Sequence, residues 1–138
     1  MTLTSQQRGR VQRARVARLA TVRPGGAPHI VAVTFALHAD TVVTAVDDKP
    51  KRTQDLQRLR NVEQHPAATL LIDHYDEDWS KLWWVRLDGD AQVIREEPGR
   101  SEALAPLVAK YDHYRNSPPR GPVLAVHVRS ATSWSAGG

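Results

Sequence analysis

Residues 42–56 read VVTAVDDKPKRTQDL, and this passage from an apolar run into a cation-rich one decides how the chain is interpreted. The run Val42–Val46 is typical of a buried strand. A helix is predicted to follow over about residues 50–64, because Asp48 can cap its N-terminus and Pro50 is tolerated in a first helical turn. The passage therefore predicts a strand-to-helix connection.

The charge of this connection breaks a local rule. A helix N-terminus carries a partial positive charge and favours acidic side chains. Three cations nevertheless crowd it, namely Lys49, Lys51 and Arg52. Exposed backbone N–H groups and cations together favour a bound anion, and broken local rules often mark functional sites. This stretch alone leaves a solvated basic turn as an equal alternative.

Composition limits the class of protein. A chain of 138 residues with 41% hydrophobic and 25% charged residues is expected to form one soluble domain, residues 1–138. The absence of cysteine excludes disulfides and thiolate chemistry. No apolar run reaches the roughly 20 residues of a membrane span, and the Arg-rich start is unlike a signal peptide. We therefore expect a cytoplasmic protein that does not associate with membranes.

The N-terminal part is predicted to be a helix that runs from residue 4 to between residues 16 and 18, capped by Thr4 or Ser5. It carries five arginines: Arg8, Arg10, Arg13, Arg15 and Arg18. A solvated face is the preferred interpretation, with nucleic-acid binding as the weaker alternative. The modest net charge of +4 permits an anionic ligand without demanding nucleic acid.

Two apolar strands are predicted early in the chain. Strand 19–22 is followed by the Pro- and Gly-rich turn 23–28 and by a long strand over 29–37. The second strand is apolar on both faces, so its outer face is expected to be covered by a helix, a partner subunit or a flat ligand. With its neighbour 42–46 it suggests a dimer.

The middle of the chain combines acids with aromatic residues. A strand over 67–72 leads into an acidic loop and then into a strand on which Trp83 and Trp84 point to opposite faces. The acids near His74 match no calcium-loop spacing, so no metal site is predicted. The rest is predicted as follows: a turn or bulge at 88–90, a strand at 91–94, a helix at 98–114, a strand at 123–128 and a loosely held tail at 131–138.

No self-sufficient catalytic constellation is present in the sequence. Zinc-binding, nucleophile-elbow and dinucleotide-binding patterns are absent. His29 and His127 lie on apolar strands and are interpreted as hydrogen-bonded core residues in preference to ligands. Any chemistry would therefore come from a cofactor.

The order of these elements resembles the split β-barrel family of pyridoxamine-phosphate-oxidase-like flavin and deazaflavin proteins. Residues 20–21 with 26–29 resemble the first hairpin of that family, and residues 51–56 with 61–66 resemble its phosphate-binding segment. The wider pattern over residues 48–61 and 73–86 is similar to a subgroup that uses the deazaflavin coenzyme F420. The resemblance covers about residues 14–130.

The resemblance implies a mainly β (α+β) fold, a homodimer of six-stranded antiparallel split β-barrels with two or three flanking helices and a cofactor at the interface. The phosphate would be held by Lys49, Lys51, Arg52 and Thr53, with the ranking of Lys51 and Arg52 open. The ring would be lined by His29, Val31, Val33 and Ala45. The remaining implied contacts are Arg58, Arg60 and Asn61, with Trp79 and Trp84 contributed by the partner.

The function implied is an F420-dependent oxidoreductase that transfers hydride between the coenzyme and a small conjugated substrate. Two alternatives stay open: an FMN-binding oxidoreductase of the same fold, and a non-catalytic carrier or sensor of the cofactor. Nucleic acid is not an expected partner, and the sequence does not identify the substrate.

Overall fold

The computed structural model describes residues 2–46 and 56–137. Its helices are α1 (Ser5–Arg13), α2 (Gln57–Gln64), α3 (Gly99–Lys110) and α4 (Asp112–Asn116), with a 3-10 turn at Trp79–Lys81. Its strands are β1 (Ala17–Val22), β2 (Pro28–Val33), β3 (Ala36–His38), β4 (Thr41–Ala45), β5 (Ala67–His74), β6 (Trp83–Ile94) and β7 (Val123–Ser135).

The described strands form one curled antiparallel sheet in the order β2-β1-β5-β6-β7-β4-β3. The mainly β fold with flanking helices is confirmed, with seven strands in the sheet where six were predicted. The additional strand arises because the predicted strand 29–37 is interrupted at Thr34 and Phe35. The Tyr111 hydroxyl accepts a hydrogen bond from Phe35 N–H at 3.1 Å, which satisfies this group outside the sheet.

The C-terminal strand is longer than predicted. The tail 131–138 was expected to be loose, but β7 pairs with β6 as far as Ser135. The reason is that residues 83–94 form one strand: the Asp88–Gly89 signal is a bulge and not a turn. A Cβ at Gly89 would lie 2.1 Å from the His127 carbonyl oxygen, so only glycine permits this close approach of the two strands.

The helix boundaries also differ from the predictions. The predicted cap at Thr4 is confirmed, and it forms a capping box with Gln7, but the helix ends at Arg13 because Ala14 is extended. Tyr111 is likewise non-helical and divides the predicted helix 98–114 into α3 and α4. Helix α2 begins only at Gln57. The predicted cap Asp48 and the first-turn Pro50 lie outside the described residues.

Two apolar clusters hold these elements together. The larger lies inside the curled sheet and includes Phe35, Leu19, Leu70 and Leu87, all fully buried. The smaller packs α3 and α4 against β3, β4 and β7 around Leu107. This second cluster fixes α4 beside the ends of β2 and β4, where the candidate site lies. None of the helices in the described ranges is long and apolar enough to cross a membrane.

Candidate functional site

A cavity of about 220 Å³ lies where β2 and β4 end, beneath α2 and α4. The residues that line it are Ala32, Val33, Thr34, Thr44, Ala45, Arg58 and Tyr114. Strand β4 ends at Ala45, and the chain next enters the described structure at residue 56, just before α2. The cavity is therefore bordered by both ends of the cation-rich connection 47–55. Lys49, Lys51, Arg52 and Thr53, predicted to hold a phosphate, lie in that connection and outside the described residues.

A hydrogen-bonded network fixes the polar wall of this cavity. The Thr44 hydroxyl donates to the Thr34 carbonyl oxygen at 2.7 Å, and the Thr34 hydroxyl lies 2.7 Å from the Tyr114 hydroxyl. The Tyr114 ring in turn packs edge-on against Tyr111, with ring centroids 5.6 Å apart. Strand β4, the link between β2 and β3, and helix α4 are thereby held in one arrangement.

Arg58 is the charged residue of this cavity. It stands in the first turn of α2 and is half-buried, and burial lowers the pKa of its guanidinium. No carboxylate in residues 2–46 or 56–137 forms an ion pair with it. A half-buried cation without a carboxylate is destabilising. A bound anion at this cavity would offset that cost.

His29 lies on β2 within the electrostatic reach of Arg58. The prediction that it is a satisfied core histidine is wrong, because its Nδ1 is buried without a hydrogen-bond partner among the described residues. Burial lowers the pKa of the imidazole, and the charges of Arg23 and Arg58 lower it further. The lowered pKa favours the neutral imidazole, and within the described ranges its Nδ1 is available for a hydrogen bond.

His127 also differs from its prediction as a core histidine. Its side chain is exposed on β7, where Nδ1 lies 3.2 Å from the Thr41 hydroxyl and Nε2 lies 3.3 Å from Gln92 Oε1. Both ring nitrogens have partners. His127 is accordingly part of the sheet surface and not of the cavity.

The structure brings together only part of the predicted ring-binding set. Val33 and Ala45 line the cavity, whereas Val31 packs against the larger apolar cluster. Strand β2 turns His29, Val31 and Val33 to its inner face, while Ile30 on its outer face is 65% exposed. The outer apolar face of β2, which was expected to be covered, has no cover within the described single chain.

Two predicted residues of α2, Arg60 and Asn61, are not among the lining residues of the cavity. Asn61 is fully buried, donates from Nδ2 to the Thr21 hydroxyl at 2.9 Å and accepts from Gln57 Nε2 at 2.7 Å. Its side chain therefore fixes α2 against β1. Arg60 is exposed and donates to Gln57 Oε1 at 2.7 Å. Cofactor contacts by these two residues stay predictions.

The predicted tryptophans lie on another surface. Trp79 is 67% exposed on the 3-10 turn, and Trp84 is half-buried on β6. Trp134, which the sequence placed in a loose tail, pairs with Trp84 across β6 and β7 and is 46% exposed. None of the three lines the cavity of the same chain. Their role at a partner's cofactor stays a prediction.

Sequence reasoning missed the residues that build the polar wall of the cavity, Thr34, Thr44 and Tyr114. The neighbouring residues in the sequence give no signal for them, because each hydrogen bond in the wall joins different elements of the fold. Within the two described ranges, no group of three or more His, Asp or Glu side chains is arranged to hold a metal ion.

Comparison with known proteins identifies relatives of the whole chain. The family model described as pyridoxamine 5'-phosphate oxidase matches residues 3–135. No curated protein matches this sequence. A conserved hypothetical protein from Mycobacterium tuberculosis is similar in structure, with a TM-score of 0.77, 18% identity, and coverage of 97% of this chain and 86% of that one.

Two further solved structures carry functional names. An F420 reductase has a TM-score of 0.70 and 21% identity, and the match covers 94% of this chain and 98% of that one. The heme storage protein HutZ from Vibrio cholerae has a TM-score of 0.72 and 13% identity, with coverage of 98% and 95%. At such low identity these similarities show the fold alone, and they span proteins with different cofactors.

Proposed function

Because this chain belongs to the pyridoxamine 5'-phosphate oxidase family, we propose that it is a homodimeric oxidoreductase that uses the deazaflavin coenzyme F420 to reduce a small conjugated molecule. One observation carries the proposal: Arg58, a half-buried arginine that pairs with no carboxylate of residues 2–46 or 56–137, faces a cavity bordered by the cation-rich connection 47–55. That arrangement suits a ligand with an anionic group at this end of β4.

The number of cations favours the deazaflavin over FMN. Five cations lie within twelve positions of one another in the sequence: Lys49, Lys51, Arg52, Arg58 and Arg60, the last two on α2. In the proposed complex the first three contact a phosphate, and Arg58 and Arg60, further along the chain, extend the same basic track. A coenzyme that has both a phosphate and a carboxylate tail suits such a track. The structural similarity to an F420 reductase supports the same choice.

The other cavity residues suit a ring bound beside the anion. Val33 and Ala45 supply apolar walls that exclude water, and the Thr34–Thr44–Tyr114 network keeps them in place. His29 does not line the cavity, but it lies on the same strand as Val33, and its Nδ1, which has no partner among the described residues, can donate to or accept from a polar atom of a ligand, depending on its tautomer. When bound in its reduced form, the coenzyme would supply the hydride, and the protein would orient it and shield it from water.

A dimer is supported by the surfaces that a single chain leaves open. Strand β2 is an edge strand with Ile30 exposed, and Trp79 and Trp134 add exposed aromatic surface elsewhere on the sheet. Apolar edges and patches of this kind are usually covered by a partner. In the proposed dimer, Trp79 and Trp84 face the cofactor of the other subunit.

The test is a titration with oxidised F420 and, separately, with FMN, followed by quenching of tryptophan emission. We expect tighter binding of F420 and a loss of that binding by at least tenfold in Arg58→Gln and in the double variant K51A/R52A. Arg95→Gln removes an exposed arginine that pairs with Glu63 and serves as the control. Tighter binding of FMN would identify a flavin protein of this fold.

Turnover is tested on the same preparation, by following oxidation of reduced F420 in the presence of a panel of small conjugated carbonyl and nitro compounds. If oxidation of reduced F420 requires the added compound and is lost in Arg58→Gln, the protein is an enzyme. Tight binding without turnover of any compound favours the carrier or sensor alternative. Full F420 binding by K51A/R52A would overturn the site assignment.

A further inference from the structure

A second cavity, of about 530 Å³, lies where α1 ends and β1 begins, and it shares no lining residue with the first. Four arginines, Arg10, Arg13, Arg15 and Arg18, are among its lining residues, together with one acidic residue, Asp73. The cavity is large enough for a small ligand. We propose that it is a binding site for a compact multivalent oxyanion, such as a polyphosphate or a tricarboxylate.

The four arginines converge because of the local backbone. Arg10 and Arg13 stand in the last turn of α1, three residues apart and therefore on neighbouring positions of one helix face. The chain becomes extended at Ala14, and β1 begins three residues later at Ala17. This sharp change of direction brings Arg15 and Arg18 to the same cavity. The sequence predicted a longer helix, on which these side chains would have been spread over different faces.

The absence of carboxylate partners distinguishes these arginines from others in the described residues. None of the four forms an ion pair with a carboxylate there. Six other described arginines do: Arg8, Arg86, Arg95, Arg100, Arg115 and Arg129. Like charges held close together repel one another. A ligand with several negative charges is the partner that this cluster lacks.

One guanidinium group of this cavity is held in position without a ligand. Arg10 lies over the Trp83 ring, 5.0 Å from its centroid, and its Nη2 is 3.5 Å from the Ser135 hydroxyl. The Arg15 guanidinium lies over the Tyr111 ring at 4.6 Å, with its Nη2 3.4 Å from the Lys110 carbonyl oxygen, and neither of those two residues lines the cavity. Positioned cations lose less conformational entropy on binding, so the site is partly pre-organised.

The aromatic wall points to a compact ligand. Trp83 is stacked by His74 with ring centroids 5.9 Å apart and is also covered by Arg10. The indole therefore offers little ring surface for stacking a base or another aromatic group. The planar guanidinium group of arginine is instead suited to oxyanions, because an oxyanion accepts two parallel hydrogen bonds from it. Closely spaced oxyanion groups therefore suit a cavity lined by several arginines.

The experiment is calorimetric titration of the full chain with pyrophosphate, with citrate and with sulfate. We expect saturable binding of one pyrophosphate or citrate per chain, and the tighter of the two identifies a polyphosphate or a polycarboxylate site. Sulfate should bind at least tenfold more weakly. Sulfate binding as tight as that of both larger anions would overturn the assignment of a multivalent ligand.

Variants separate this site from general charge effects. The double variant R10Q/R13Q should weaken binding at least tenfold, whereas R95Q/R129Q, which removes the same charge from paired arginines elsewhere, should stay within twofold. The variant K51A/R52A should also stay within twofold, because those cations belong to the first site. Equal weakening by both glutamine pairs, or loss of binding in K51A/R52A, would overturn the proposal.

Two additional measurements complete the test. If R10Q/R13Q does not fold, R18Q replaces it, since Arg18 is an exposed residue of β1 and not part of α1. A short DNA duplex is added as a competitor at two salt concentrations. Duplex binding through these arginines with steep salt dependence, combined with no saturable pyrophosphate or citrate binding, would indicate a nucleic-acid surface and refute the proposal.

Discussion

Replacing Lys110 with methionine is expected to stabilise this protein at neutral pH. The Lys110 Nζ is buried without a hydrogen-bond partner among the described residues, and it lies 4.0 Å from the centroid of the Phe35 ring. Burial and, to a smaller extent, the charge of Arg15 lower the pKa of Lys110 from 10.5 to about 8. The charged form is therefore destabilised in the folded state. Methionine retains most of the volume and the contact with the rings.

The size of the effect follows from the pKa. At about 1.4 kcal/mol for each tenfold change in the proton equilibrium, this displacement corresponds to roughly 3 kcal/mol. The side chain as a whole is only half-buried, so solvent screening reduces this to about 1.5 kcal/mol. The contacts of the ammonium with Phe35 and Tyr111 offset on the order of 0.5 kcal/mol of it. We therefore expect Lys110→Met to raise the free energy of unfolding by about 1 kcal/mol at pH 7.

The pH dependence is the sharper test. Below the folded pKa of about 8, Lys110 is protonated in both folded and unfolded chains, and the full destabilisation is present. Between about 8 and 10.5 the unfolded chain binds more protons than the folded one, so the stability of the wild type rises with pH. The advantage of Lys110→Met should accordingly disappear by about pH 10.5.

The assay is urea unfolding at pH 7, 8, 9 and 10.5, with Lys81→Met as the matched control because Lys81 is exposed. The control should change the unfolding free energy by less than about 0.5 kcal/mol at every pH. Two results would refute the reasoning. One is a Lys110→Met variant less stable than the wild type at pH 7, which would mean that the ring contacts outweigh the burial. The other is a stabilisation that does not depend on pH.

Three further substitutions test the fold and the dimer. Asn61→Ala should lower the free energy of unfolding by about 2 kcal/mol, because it leaves the buried Thr21 hydroxyl without its partner; a loss below about 0.5 kcal/mol in urea unfolding would contradict the role given to this contact. Gly89→Ala should cost about 3 kcal/mol or more, because its Cβ would collide with the backbone of β7. Gly25→Ala is the control, because the new Cβ would have open space around it. If Gly25→Ala and Gly89→Ala lower the melting temperature by similar amounts, the close approach of β6 and β7 at Gly89 is not the cause. Ile30→Asp should convert the proposed dimer to a monomer in sedimentation analysis, and a wild-type chain that sediments as a monomer would overturn the dimer.

Several features of this protein were determined by the sequence alone. The turn 23–28, the helix cap at Thr4 and the opposite faces of Trp83 and Trp84 depend on residues within a few positions of one another. Local backbone preferences and strand alternation are sufficient to predict them. The mainly β class could be recognised for the same reason.

The sites were decided by the tertiary structure. Val33, Ala45, Arg58 and Tyr114 meet only because α4 packs on the second apolar cluster and α2 is fixed to β1 through Asn61. The arginine cavity depends on where α1 stops, and the length of β7 depends on the continuous strand β6 beside it. Such contacts join residues far apart in the chain, and their energy is gained only when the whole sheet has closed around its core. Local sequence patterns do not predict how the sheet closes. The sequence therefore identifies the charged residues, while the fold determines which of them share a cavity.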